Sequence, residues 1–224
     1  MSLTLRGITV TYRGSALPTV LDLDLDVPAG TSLALMGPSG AGKSTVLAVA
    51  GLLLEPDRGE VLVAETPRTV RDAPTVLGDE LGWVLQTVNL LPRRTALDNV
   101  TLPALARGRR RAASEDRARE LLDAVGITAH DQVARTLSGG QAQRVGVARA
   151  LMTSPAVIVA DEPTANLDLA TARSVARTLF EATAGTTVLL ATHDPAIAEM
   201  ADRVVYLEPV TAPSPTQESA DVAS

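Results

Sequence analysis

The chain has 224 residues, with 20 basic and 26 acidic side chains and a formal charge of −6. That balance argues against a nucleic-acid partner held by a broadly basic surface, and the absence of cysteine excludes disulfides, thiolate metal sites and a cysteine nucleophile. Apolar residues make up 46%, enough for a core, yet Tyr12, Trp83, Phe180 and Tyr206 are the only aromatics, so the core must be aliphatic and a stacking platform for single-stranded nucleic acid is poorly supported.

The opening segment MSLTLRGITV lacks the basic-then-apolar profile of a signal peptide. Leu3, Leu5, Ile8 and Val10 suggest a strand. Leu21, Leu23, Leu25 and Val27 alternate with Asp22, Asp24 and Asp26, the period of a half-buried strand with one wet face. Leu33 to Met36 form a short apolar run, read as a buried strand, and 46–54 follow as a helix. The longest uncharged stretch, 27–42, is broken by Pro28, Gly30, Gly37 and Pro38, and a membrane span needs about 20 apolar residues in a row. A soluble, cytoplasmic chain is expected.

Glu60 to Val63 read as another strand and 64–80 as irregular. From about 87 to 153 the pattern turns helical. Within it Ser114 is expected to cap a helix whose first turn carries Glu115 and Asp116 and whose C-terminal stop is Gly126. Ala156 to Ala160 read as a buried strand, 169–183 as a helix, and 187–191 and 204–207 as strands. Strands alternating with helices predict an α/β fold with a mainly parallel sheet. The low-complexity stretch 209–224 is expected to be a disordered tail.

Three motifs carry chemistry. Gly37-Pro38-Ser39-Gly40-Ala41-Gly42-Lys43-Ser44 fits G-x-x-x-x-G-K-[ST] in full, between a buried strand and a helix. Its glycines let backbone N–H groups turn inward on a phosphate, and the helix start aims its positive end at the same place. Lys43 supplies a point charge for the outer phosphates, and the Ser44 hydroxyl suits Mg²⁺. Asp161 and Glu162 follow the buried strand, at the end where open α/β sheets bind ligands. Asp161 is the candidate metal ligand and Glu162 the group facing the attacking water. Ser138-Gly139-Gly140-Gln141 opens a second helix, carrying Arg144 and Arg149, with Ser138 as N-cap. It is a second helix start suited to an anion, although Ser-Gly-Gly alone also fits an ordinary cap.

With these motifs in place, residues 3–208 resemble the ATP-binding-cassette (ABC) ATPases: LSGGQ stands at 137–141 as the family signature, and DEPTANLD at 161–168 is similar to the acidic strand end running into the D-loop. The resemblance implies a P-loop cassette over 1–208, with an N-terminal antiparallel β lobe and an inserted helical lobe at about 87–153. It implies that Tyr12 stacks on adenine, that Gln86 reaches both Mg²⁺ and a membrane partner, and that His193 touches the γ-phosphate. The implied nucleotide set adds Thr45, Ser138 to Gln141 and Asp168 to the phosphate loop. Catalysis falls to Glu162, His193 and Lys43, and metal binding to Ser44, Gln86 and Asp161.

In such a family ATP lies between two copies, the signature of one facing the phosphate loop of the other. The implied partners are a second copy and a separate transmembrane permease, with the groove for the permease near Gln86 and the helical lobe. The chain is then expected at the inner face of the cell membrane. The stretches Asn89-Leu90-Leu91-Pro92 and Thr95 to Pro103 look most like exporters of the macrolide-efflux and lipoprotein-release type. Val88 stands where those relatives usually carry Phe, and Ala142 and Gly146 replace bulkier residues. A non-transport ATPase of the same fold, serving cell division or envelope signalling, is the alternative.

Overall fold

The first strand, β1 (Leu3–Val10), would turn the wrong face inward if it kept strict alternation from Leu5 to Ile8. The computed structural model, which describes residues 1–211, resolves this with a bulge. Gly7 adopts φ +57, and the pairing register shifts between Leu5 and Ile8. Both halves thereby bury their apolar residues. β2 (Val20–Val27) lies antiparallel to β1 with Leu25 and Val27 inside. Its wet face is put to use: Asp24 accepts from the Gly7 N–H at 2.7 Å, and Asp26 from the Thr4 hydroxyl at 2.7 Å. β4 (Arg58–Val63) and β5 (Thr66–Arg68) complete an antiparallel sheet of order β2-β1-β4-β5.

The second sheet is wholly parallel, in the order β6-β7-β8-β3-β9. Its strands are β3 (Ser32–Met36), β6 (Leu81–Val84), β7 (Val157–Asp161), β8 (Thr187–Ala191) and β9 (Arg203–Tyr206). β3 and β8 are buried along their whole length, as expected of strands covered on both faces. Side chains alternate between two cores. Leu33, Leu35, Val157 and Val159 pack towards the antiparallel sheet and α1 (Lys43–Ala50). Ala34, Met36, Ile158 and Ala160 face the helical side.

That helical side is built from α3 (Ala96–Ala106), α4 (Arg111–Ala124) and α5 (Gly139–Leu151), which pack on one another; α5 also packs on α6 (Leu169–Ala182). Two single-turn helices, α2 (Ala73–Val76) and α7 (Pro195–Ala198), fill connections. The α/β architecture expected from the sequence is the one found: a parallel core sheet, an antiparallel β lobe and a helical lobe. Because the core strands are parallel, the carboxyl ends of β3, β7 and β8 open on one edge.

Several local expectations are corrected. Ser114 does not cap α4: the helix begins at Arg111, and buried Ser114 donates its hydroxyl back to the Arg110 carbonyl at 2.9 Å. Gly126 does follow the end of that helix, at φ +74. The helix read over 46–54 instead spans 43–50, since Gly51 and then Leu52 at φ +57 end it. The segment 64–80 holds β5, a 3₁₀ turn at 70–72 and α2. The stretch 87–95 is a loop, with the first helix of the lobe starting at Ala96. Of the expected tail, residues 212–224 lie outside the described residues.

Candidate functional site

The loop after β3 must reverse tightly enough to start a helix at Lys43. It does so with Gly40 at φ +82 and Gly42 at φ +89, and a Cβ on Gly42 would come within 2.8 Å of the Thr19 carbonyl. Gly42 is the N-cap of α1 and supplies no side-chain acceptor. The first-turn N–H groups of this helix are therefore left for an anion. Lys43 Nζ donates to the carbonyls of Gly37 (2.8 Å) and Pro38 (3.1 Å), which holds its charge against the loop.

Across from the loop, Ser44 Oγ donates to Asp161 Oδ1 at 3.2 Å. Burial at the end of β7 pushes the Asp161 carboxyl up, and the Ser44 hydrogen bond and the Lys43 charge partly offset this. Next to it Glu162 sits at φ +44, an uncommon conformation for a side chain of that size, with its N–H on the Ala191 carbonyl at 3.0 Å. Glu162 Oε2 lies 2.7 Å from His193 Nδ1. A carboxylate can only accept, so Nδ1 carries the proton and Nε2 is left free. The Glu162 side chain is 15% exposed and that of His193 72%.

One cavity of about 430 Å³ is lined by Lys43, Ser44, Thr45, Gln86, Glu162 and His193, together with Ser39, Gly40 and Gly42. Thr19 and Ala165 also line it; no motif pointed to Thr19, while Ala165 lies within the DEPTANLD stretch without having been singled out. Tyr12 stands at its side, 47% exposed, with its hydroxyl 3.1 Å from Thr45 Oγ1. The donors Ser44, Asp161 and Gln86 are hard oxygen groups, and among the described residues no group of three or more His, Cys, Asp or Glu is arranged to hold a metal by itself. That set suits Mg²⁺, which takes few protein ligands and completes its shell with water and phosphate oxygens.

The signature does not join this cavity: Ser138, Gly139, Gly140, Gln141 and Asp168 are absent from its lining. Ser138 forms a complete capping box with Gln141, each side chain meeting the other's N–H at 3.2 and 2.9 Å. Asp168 caps α6, and hydrogen bonds from Thr171 hold its carboxyl below the usual range.

Gln86 begins a loop that three side chains of the helical lobe hold by its backbone. Gln143 donates to the Leu85 carbonyl (3.1 Å), Arg149 to the Val88 and Asn89 carbonyls, and buried Asn99 meets both the N–H and carbonyl of Leu91. Burial lowers the pKa of the Arg149 guanidinium. Of these fasteners only Arg149 stood out in the sequence. Side-chain-to-carbonyl pairs leave no pattern there.

Comparison with known proteins follows the same lines. Residues 20–165 match the family model of the ABC transporter. The lipoprotein-releasing system ATP-binding protein LolD of Nitrobacter hamburgensis is 43% identical over 205 residues, 88% of each chain. Its counterpart from Roseobacter denitrificans is 42% identical over 217 residues, 92% of this chain and 95% of the relative. Among solved structures, the dimeric bacterial ABC transporter cassette MJ0796 superposes with a TM-score of 0.82 at 34% identity, covering 92% of this chain and 94% of that one. A post-hydrolysis state of MJ0796 bound to ADP and Pi gives 0.81 at 33% identity.

Proposed function

Since this chain belongs to the ABC transporter family, whose cassettes hydrolyse ATP, we propose that it powers a separate membrane permease and that the cavity residues divide the chemistry among them. The observation carrying this reading is the single cavity lined by Lys43, by Ser44 with Asp161 hydrogen-bonded behind it, and by the Glu162–His193 pair.

The loop N–H groups and Lys43 hold the phosphates and offset their charge. Thr45 and the Tyr12 ring receive the rest of the nucleotide, the ring by stacking on adenine. Ser44, Asp161 and Gln86 would hold Mg²⁺, which would supply positive charge to offset that of the outer phosphates. Glu162 orients a water in line with the γ-phosphorus and takes its proton as the new P–O bond forms. The bond to the β,γ-bridging oxygen breaks, leaving ADP and phosphate. His193 keeps Glu162 in place through Nδ1–H and, once Nε2 is protonated as well, donates that N–H to the γ-phosphate.

Ser138 to Gln141 and Asp168 serve the nucleotide of a second copy, which is why they stand outside the cavity of their own chain. Residues 1–208 form one cassette. None of the described helices is long and apolar enough to cross a membrane. On this reading the permease supplies the spans and places this chain on the inner membrane face. The likeness to LolD proteins supports an exporter of the lipoprotein-release type.

The test is ATP turnover per chain as a function of chain concentration. It should rise as copies pair, because each site needs the other's signature. Turnover per chain that is independent of concentration would overturn the shared-site reading.

A further inference from the structure

Tyr12 is 47% exposed and lies in the loop after β1, outside the lining of the nucleotide cavity. A half-exposed ring on a free loop turns about two side-chain bonds. A ligand that needs the ring in one place must then meet the cost of ordering it. What holds Tyr12 therefore bears on nucleotide affinity, even where the holding groups do not touch the base.

The loop is fastened first by its backbone. The Thr11 N–H donates to Asp57 Oδ2 at 2.7 Å, and the Asp57 N–H donates to the Thr9 carbonyl at 2.9 Å. Past the ring, the Ser15 N–H donates to the Tyr12 carbonyl at 3.0 Å, and the Thr19 N–H closes the loop on the Val10 carbonyl at 2.8 Å. The main chain on both sides of Tyr12 is thus set, which leaves the rotation of the ring. Its hydroxyl lies 3.1 Å from Thr45 Oγ1, and either oxygen can donate. Thr45 is buried in the first turn of α1 and lines the cavity, so the anchor is a rigid element of the site itself. Asp57 is exposed, lies between α1 and β4, and is absent from the lining.

We infer that Thr45 and Asp57 are positioning residues for the Tyr12 ring: Asp57 fixes the backbone that carries it, and the Thr45 hydroxyl fixes its rotation. The inference rests on the stacking role proposed for Tyr12 and deepens it by naming the groups that keep the ring in place. Because Thr45 follows Ser44 in the same helical turn, the ring is set in register with the phosphate-binding backbone. Base and phosphates are then received by parts that cannot shift independently. No motif pointed to Asp57, since its role depends on a contact with a segment far away in the chain.

Calorimetry on the full chain measures binding of ATP and of inorganic triphosphate, and the ratio of the two affinities reads the contribution of the base. Tyr12→Phe keeps the ring and removes its hydroxyl. It should lower the ratio by about 2- to 10-fold, the effect of one net hydrogen bond. Thr45→Val should lower it by a similar factor. The double change should lower it no further than either single one, because both remove the same bond. Asp57→Ala should lower the ratio as well, whereas Asp57→Asn keeps an acceptor for the Thr11 N–H and should hold it near the wild-type value. Additive losses in the Tyr12–Thr45 pair overturn the inference. So does an equal weakening of both ligands with the ratio unchanged, which would make the two residues merely structural. The stacking role itself fails on a different result: Tyr12→Ala with the ratio at its wild-type value.

Discussion

Two helices of this molecule begin with glycine-rich turns, and they begin differently. α1 starts at Gly42 with no side chain to cap it, facing a cavity of its own chain. α5 starts at Ser138 with its cap complete, turned away from that cavity. An uncapped start needs an anion to satisfy its N–H groups. A capped start is stable by itself and can wait for one brought by another copy. On the proposed reading, the difference lets one chain carry two phosphate-binding elements and combine neither into a whole site.

The largest effect should come from Glu162→Gln. It removes the proton acceptor and slows turnover by about 100- to 10 000-fold, while ATP binding persists and a nucleotide-bound dimer accumulates on size-exclusion chromatography. Unimpaired turnover would take Glu162 out of the role of base. Ser138→Arg acts at the other helix start: it should block ATP-driven pairing in analytical ultracentrifugation yet leave nucleotide binding by the single chain intact. Pairing at the wild-type level would show that the two starts do not meet. Lys43→Ala acts at the uncapped start and removes a charged hydrogen bond worth about 1.5–3 kcal/mol. Calorimetry should show ATP binding weakened by the corresponding factor, and unchanged affinity would sink the phosphate-loop assignment.

Tyr12→Ala should cost about 1–3 kcal/mol of ATP binding if the ring stacks on adenine, with no loss for inorganic triphosphate. A parallel loss for both ligands would assign Tyr12 to the phosphates through Thr45. The smallest effect concerns Asp161. Its carboxyl is raised in the folded chain, so the folded state holds the proton more tightly than the unfolded state. The associated stability is present at low pH and is lost as pH rises through the raised value. Asp161→Asn should therefore raise the Tm of the nucleotide-free protein at neutral pH, by only a small margin because the group is part-exposed and screened. The gain should vanish below the ordinary carboxylate range.

Much of this was legible in the sequence where a residue type has only one use. Gly37 to Ser44, Asp161, Glu162 and His193 were placed at one site by motif and order; one cavity gathers Ser39, Gly40, Gly42, Lys43, Ser44, Glu162 and His193, and Asp161 reaches it through its hydrogen bond with Ser44. β2 was legible because three aspartates mark its wet face. Reading failed where context decides. β6 went unnoticed, being four residues long and half made of Gly82 and Trp83, with burial rather than alternation holding it in the sheet. Ser114 looked like a cap because acids follow it, yet Arg110 and Arg111 already start the helix and the hydroxyl turns back onto the backbone. Thr19 reaches the cavity from a segment before the phosphate loop that carries no motif, a fact of tertiary structure alone.

Trp83 is the single tryptophan of the chain. Its indole N–H bonds the Gly51 carbonyl at 3.2 Å, and its ring fills the space a Cβ on Gly51 would need, at the far end of the helix that starts at Lys43. Three residues onward stands Gln86. The molecule thus carries a built-in optical reporter wedged between the helix that follows the phosphate loop and the strand that leads to Gln86. Its emission belongs to one ring, so a stopped-flow trace on the unlabelled protein can be assigned to one place in the fold.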